Sequence, residues 1–225
     1  MAFSIVFVLF PDVTQLDMTG PAQILCRMPD SAVHYAASSM APVPTDCGFS
    51  INPTVTFDDL AHADLLCVPG GMGVVGAMAD GHLMSSVQRL AKTATYTTSV
   101  CTGALILGVA GLLQGKKATT HWAYHHLLSL VGAAPVHERV VRDGTTFTGG
   151  GVTAGIDFGL TVLAEVAGES FARTVATAVE YDPGPPFGRG ILTDQPSEVG
   201  DALSGIYQER VALVHAAMLE AGVAP

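Results

Sequence analysis

Thr97-Thr98-Ser99-Val100-Cys101-Thr102-Gly103-Ala104 is the stretch on which the fold of this 225-residue chain turns. A β-branched run leads into it from Thr95 and an apolar segment over residues 105–113 leads out. The pattern predicts a strand, a sharp turn and a helix, with Cys101 at the corner. A thiol at a helix N-terminus faces unpaired backbone N–H groups and the positive end of the helix dipole, and both favour the thiolate. Cysteine ordinarily titrates near about 8.5, so a modest lowering multiplies the reactive form at neutral pH. Most cysteines in apolar surroundings are inert core residues. Here Thr102, Gly103 and Ala104 are small enough to admit a second backbone, which favours a nucleophile elbow over a packed thiol.

Outward from that corner, the chain alternates strand-like and helix-like segments. Residues 5–10 are apolar without alternation, as in an interior strand of a parallel sheet, and Pro11-Asp12 ends them. A loop then carries Asp17 to Thr19-Gly20-Pro21, where Thr19 is expected to cap and Pro21 to open a helix reaching residue 29. Asp17 therefore falls just beyond the C-terminal end of the first strand, where open α/β sheets gather their chemistry. Leu16 and Met18 beside it predict partial burial, and desolvation next to a thiolate would leave Asp17 carrying a proton near neutrality.

Further strands are expected over residues 33–39, 64–68 and 117–121, with an irregular excursion at 41–53. Helices are expected from residue 74 and over 83–92, 122–131, 156–167 and 170–179. Residues 136–141 and 145–148, joined by Arg142-Asp143-Gly144, read as a hairpin. The proline-rich residues 182–190 read as a surface strap. A last helix, over 198–221, is expected to pack on the domain or on a partner subunit. Residues 1–186 are thus one α/β domain with a mostly parallel sheet and helices on both faces, and residues 187–225 a strap and helix.

With 49% hydrophobic and 13% charged residues, the chain has the make-up of a single domain with a large core. A formal charge of -10, with 10 scattered lysines and arginines, argues against nucleic acid or an anionic membrane as partner and leaves small uncharged molecules. Cys26, Cys47, Cys67 and Cys101 form no C-x-x-C pair, which suits reduced thiols in a cytoplasm. The apolar start lacks a basic lead and a cleavage site, so it reads as a strand rather than a signal peptide. No uncharged run approaches the roughly 18 residues needed to cross a bilayer.

Two other patterns compete for a function. Gly71-x-Gly73-x-x-Gly76 fits a dinucleotide fingerprint, but the next strand ends at Cys101 where that fingerprint needs an acid for the ribose. The loop is better suited to presenting the Gly71 N–H, together with the Thr102 N–H, to charge developing beside the sulfur. His121 and His125 have a spacing that on one helix face can hold a metal. A predicted break near His121 spoils it and no cysteine or carboxylate completes the set, so no metal is expected.

Phe10-Pro11-Asp12-Val13-x-x-Leu16-Asp17-x-Thr19-Gly20-Pro21, Pro69-Gly70-Gly71-x-Gly73-Val74, Ala118-Thr119-Thr120-His121-Trp122 and Thr148-Gly149-Gly150-Gly151-Val152-Thr153 stand with the Cys101 run as longer motifs. Together they resemble the bacterial isocyanide (isonitrile) hydratases of the class I glutamine-amidotransferase-like superfamily, over most of the chain up to Pro186. The resemblance implies a flavodoxin-like fold, a homodimer, and hydration of an isocyanide to an N-substituted formamide through a thioimidate on Cys101, with no organic cofactor. It implies Asp17 as the acid that protonates the substrate carbon, the N–H groups of Gly71 and Thr102 as holders of the addition-step charge, and the Thr102 hydroxyl as a partner of Asp17 or the intermediate.

Much of the superfamily carries a glutamate in place of Asp17 and a histidine in place of Thr102, so peptidase activity is not implied. The acidic residues after the domain lack the basic helix of the DNA-binding members. The residues leave open a non-catalytic thiol sensor, with Cys101 oxidised by peroxide, or another cysteine-dependent hydrolase of the superfamily.

Overall fold

The computed structural model describes residues 2–224. Strand β1 (Phe3–Val8) is apolar and buried from Ile5 onward, where both of its faces are covered. Val6 and Val8 join one core cluster, while Ile5 and Phe7 join the other. From β1 the chain passes through helix α1 (Gln15–Leu25) to β2 (Ser31–Ala37), then through a two-stranded excursion, β3 (Val43–Pro44) and β4 (Ser50–Ile51), to the edge strand β5 (Val55–Thr56). Next come β6 (Leu65–Val68), α2 (Val74–Ala79), α3 (Gly81–Ala91), β7 (Tyr96–Val100) and α4 (Gly103–Val109). The small parallel pair β8 (Lys117–Ala118) and β9 (Ala134–Pro135) brackets a 3-10 helix at Trp122–Val131. The hairpin β10 (Val140–Asp143) and β11 (Thr146–Gly149) is followed by α5 (Ala154–Ala167), α6 (Glu169–Ala178) and the long α7 (Ser197–Glu220).

The main sheet has 7 strands in the order β10-β11-β7-β6-β1-β2-β5, parallel except at the hairpin. Helices α1, α5 and α6 cover one face, and α2, α3, α4 and α7 the other. This is the flavodoxin-like α/β arrangement expected from the sequence. From β1 the chain first moves to one side, to β2, and later returns to β6 on the other side, so the topology switches direction between β1 and β6. Crevices at such points, beyond the strands' C-terminal ends, are where open α/β sheets bind their ligands.

Several boundaries differ from the sequence reading. Helix α1 starts at Gln15, before Thr19, so Asp17 lies in its first turn rather than in a loop, and Pro21 lies inside the helix. The proline removes one helical hydrogen bond, and packing against α5 keeps the helix continuous across it. Thr19 caps nothing and instead donates to Gln15 Oε1 at 2.8 Å. The hairpin turns later than expected: Arg142 and Asp143 stay in β10, and Gly144, at φ 62, makes the reversal with Thr145. The strand expected over residues 117–121 shrinks to Lys117–Ala118.

Helix α7 lays Val214, Ala217 and Met218 into the core shared with α2 and the 3-10 helix. Ahead of it, the strap residues are irregular, and Phe187 is 91% exposed. Among the described residues no helix is long and apolar enough to cross a membrane.

The face bearing α5 is anchored by Phe158, fully buried against the sheet. Phe158→Ala is expected to cost about 3–5 kcal/mol of stability, read as a lowered urea midpoint at unchanged slope.

Candidate active site

Strand β7 leaves the sheet through a strained residue. Cys101 has φ 56, in the left-handed region that non-glycine residues seldom enter. Hydrogen bonds from two sides hold it there. Its N–H is shared between the carbonyls of Gly149 (3.0 Å) and Gly150 (2.9 Å), and its own carbonyl accepts from Thr120 Oγ1 at 2.7 Å. Helix α4 then starts at Gly103, where a Cβ would collide with the carbonyl oxygens of Val68 and Pro69. Only glycine allows this close passage over the end of β6.

Asp17 arrives from the β1 side and is fully buried. Its Oδ2 accepts from the Gly70 N–H at 3.0 Å, its Oδ1 has no partner that meets hydrogen-bond geometry, and its carboxyl faces the Cys101 thiol. Burial pushes the carboxyl up to about 7, against the pull of the thiol and the Gly70 N–H. The sequence expectation of a raised Asp17 is met by this environment.

The expectation of an ionised Cys101 meets an opposing environment. Burial, and then the neighbouring Asp17 carboxylate, push the thiol well above its ordinary value, while the Thr102 N–H and hydroxyl pull less strongly the other way. At the start of the short helix α4, burial and the helix terminus thus act on the sulfur in opposite directions, with Asp17 beside it.

Gly71, expected to present its N–H to a substrate, has that N–H bonded within the protein. Its N–H is not free to meet a substrate, because it donates to Thr102 Oγ1 at 2.9 Å, and that hydroxyl lies 3.2 Å from the Gly71 carbonyl. The glycine-rich loop has a steric purpose instead. At φ 126, Gly71 passes so close to the loop after β1 that a Cβ would sit 2.5 Å from the Asp12 carbonyl oxygen.

Cys101, Thr102 and Gly71 open onto a cavity of about 180 Å³. Asp17 sits behind the sulfur. Met72, His121 and Tyr124 form further walls, and α7 closes the space with Tyr207 and Arg210. Sequence reading missed these walls. The signal available was the stripe Tyr207, Val211, Val214 and Met218, whose helical spacing puts Tyr207 on the inward face of α7.

The two histidines weighed as a metal pair part company. His121 Nδ1 accepts from the Ala123 N–H at 3.3 Å, whereas His125 Nε2 bonds the Val136 carbonyl at 3.1 Å and its ring stacks on His137. Burial lowers His121 to about 4, so it is neutral. A larger open groove of about 550 Å³ along α5 and α6 holds the Arg142–Glu165 ion pair and no nucleophile.

The Asp17 environment makes stability depend on pH with a defined sign. Unfolded, the carboxyl loses its proton near 3.8; folded, it keeps it to about 7. The stabilisation from protonation is therefore complete below the lower value and is lost as the pH rises through the upper one. Relative to Asp17→Asn, the unaltered protein is expected to lose about 1.4 kcal/mol per pH unit across that window, measured by urea titrations at stepped pH.

The DJ-1/PfpI family pattern matches residues 3–165. The chain is 52% identical over 201 residues to an isonitrile hydratase of Pseudomonas putida, covering 89% of this chain and 88% of that protein. It is similar in structure to a THiJ/PfpI family protein from Pseudomonas syringae, at 37% identity and a TM-score of 0.94 over 97% of this chain and 91% of the other. The likeness to Drosophila melanogaster DJ-1beta, with 22% identity and a TM-score of 0.71 over 80% of this chain and 98% of the other, concerns the fold alone. With an elbow cysteine on a parallel sheet and a family match over most of its length, this chain belongs to the DJ-1/PfpI family.

Proposed function

We propose that this protein hydrates isocyanides to N-substituted formamides through a thioimidate on Cys101. The observation that carries the reading is the buried Asp17–Cys101 pair beside a small cavity, in a chain 52% identical to an isonitrile hydratase. An isocyanide is neutral, and its terminal carbon becomes electrophilic once protonated. The Asp17–Cys101 pair suits this need, because it holds a proton and a nucleophile side by side.

In the first half, the S–H proton passes to the Asp17 carboxylate and from there to the isocyanide carbon as the sulfur bonds to that same carbon. The net change is addition of S–H across the carbon, giving the thioimidate. A carboxyl titrating at about 7 exchanges protons readily in both directions at neutral pH. In the second half, Asp17 takes a proton from the attacking water and returns it to sulfur when the C–S bond breaks. The Thr102 N–H and hydroxyl favour the anionic sulfur while it exists. Gly71 holds the Thr102 hydroxyl in place, a positioning role rather than substrate contact.

Under this reading the protein works in the cytoplasm, without organic cofactor, metal, nucleic acid or membrane. The charge of -10 and four free cysteines support that setting. A homodimer is part of the same proposal. Val199, Ile206 and Leu213 are exposed at 39%, 50% and 57% and recur every seventh residue, forming one apolar stripe on the outer face of α7.

Phenyl isocyanide incubated with the protein is expected to disappear as N-phenylformamide appears, followed by chromatography. Cys101→Ala abolishes the reaction, and Asp17→Asn lowers kcat/KM by about 10²-fold or more. Consumption of isocyanide at the unaltered rate by either variant removes the reading.

A further inference from the structure

The proposed reaction has a proton demand that Asp17 and Cys101 leave unmet. As water adds to the thioimidate carbon, the imine nitrogen must become an N–H, and a group on the nitrogen's side of the cavity has to supply that proton. Three hydroxyls line the cavity beyond Thr102, and that of Thr14 already donates to Asp46 Oδ2 at 2.6 Å. Tyr124 is engaged, with its hydroxyl 3.5 Å from Met72 Sδ. Tyr207 is differently placed.

The state of the Tyr207 hydroxyl follows from its neighbour. His121 Nδ1 accepts the Ala123 N–H at 3.3 Å, which requires that nitrogen to be unprotonated and puts the ring's proton on Nε2. Nε2 lies 3.4 Å from Tyr207 Oη, so Nε2–H donates and the phenol oxygen accepts. The hydroxyl hydrogen is left over, and among the described residues nothing accepts it.

The ring that carries this hydroxyl is well fixed. It stacks on His121 with centroids 5.1 Å apart, and Trp122 meets it edge-on at 5.0 Å. The Arg210 guanidinium lies 5.7 Å from its centroid and pulls against the burial that holds the phenol above its ordinary value. Cys101 and Tyr207 line the same cavity of about 180 Å³.

We propose that Tyr207, on the C-terminal helix, is a catalytic donor that hydrogen-bonds the substrate nitrogen and protonates it as water attacks. This rests on the hydratase reading. Water gives its hydroxyl to carbon and its proton to Asp17, while the nitrogen takes the proton of Tyr207. When the adduct collapses, its hydroxyl proton returns to Tyr207, the C=O bond forms, the C–S bond breaks, and Asp17 reprotonates the sulfur. Every group ends as it began, and the product is the formamide.

Tyr207→Phe keeps the ring and removes only the donor. Steady-state turnover of phenyl isocyanide is expected to show kcat lowered by about 10²-fold with KM unchanged. Intact mass after acid quench is expected to show Cys101 carrying one added substrate, since thioimidate hydrolysis becomes the slow step. A variant with unaltered kcat, one changed only in KM, or one slowed without an accumulating adduct would overturn the assignment while leaving the hydratase reading in place. Absence of turnover in the unaltered protein would remove both.

Discussion

A carboxyl and a thiol packed together out of water constrain the rest of this structure. Neither group ionises easily there, and the negative charge of one opposes that of the other, so near neutral pH the pair keeps a proton between them. Bringing them together takes three parallel strands. β1 delivers Asp17 through the first turn of α1, β6 delivers the Gly70 N–H that holds Oδ2, and β7 delivers Cys101. The left-handed backbone at Cys101 costs on the order of 1–3 kcal/mol, offset by the bonds its N–H donates to the Gly149 and Gly150 carbonyls and the one its carbonyl accepts from the Thr120 hydroxyl.

Much of this was legible from residue order. The unalternating apolar run over residues 5–10 signals a strand covered on both faces, and the small residues after Cys101 signal an elbow, because each pattern reflects local packing. Asp17 was placed at the correct sheet edge, although Thr19 and Pro21 suggested a helix start that Gln15 pre-empts. Patterns for capping carry no information about the tertiary packing that lets α1 run through a proline.

The ionisation of Cys101 is poorly legible in sequence for a related reason. Helix-terminus effects can be inferred from neighbours in sequence, whereas desolvation depends on what the fold places overhead. The Gly71 N–H was likewise assigned to the substrate before its bond to the Thr102 hydroxyl could be seen, a contact between residues 31 positions apart. The aromatic wall escaped notice altogether, since His121 and Tyr207 stand 86 positions apart and meet only when α7 folds back.

That fold-back has a consequence for how such a protein diversifies. The Asp17–Cys101 pair is rooted at the middle strands of the sheet, while the opposite wall comes from a helix tethered by an irregular, exposed strap. Drift in the tethered helix, outside Tyr207, can reshape the chamber without moving Asp17 or Cys101. Relatives that share this sheet are free to inherit new tastes in small molecules through their last helix alone.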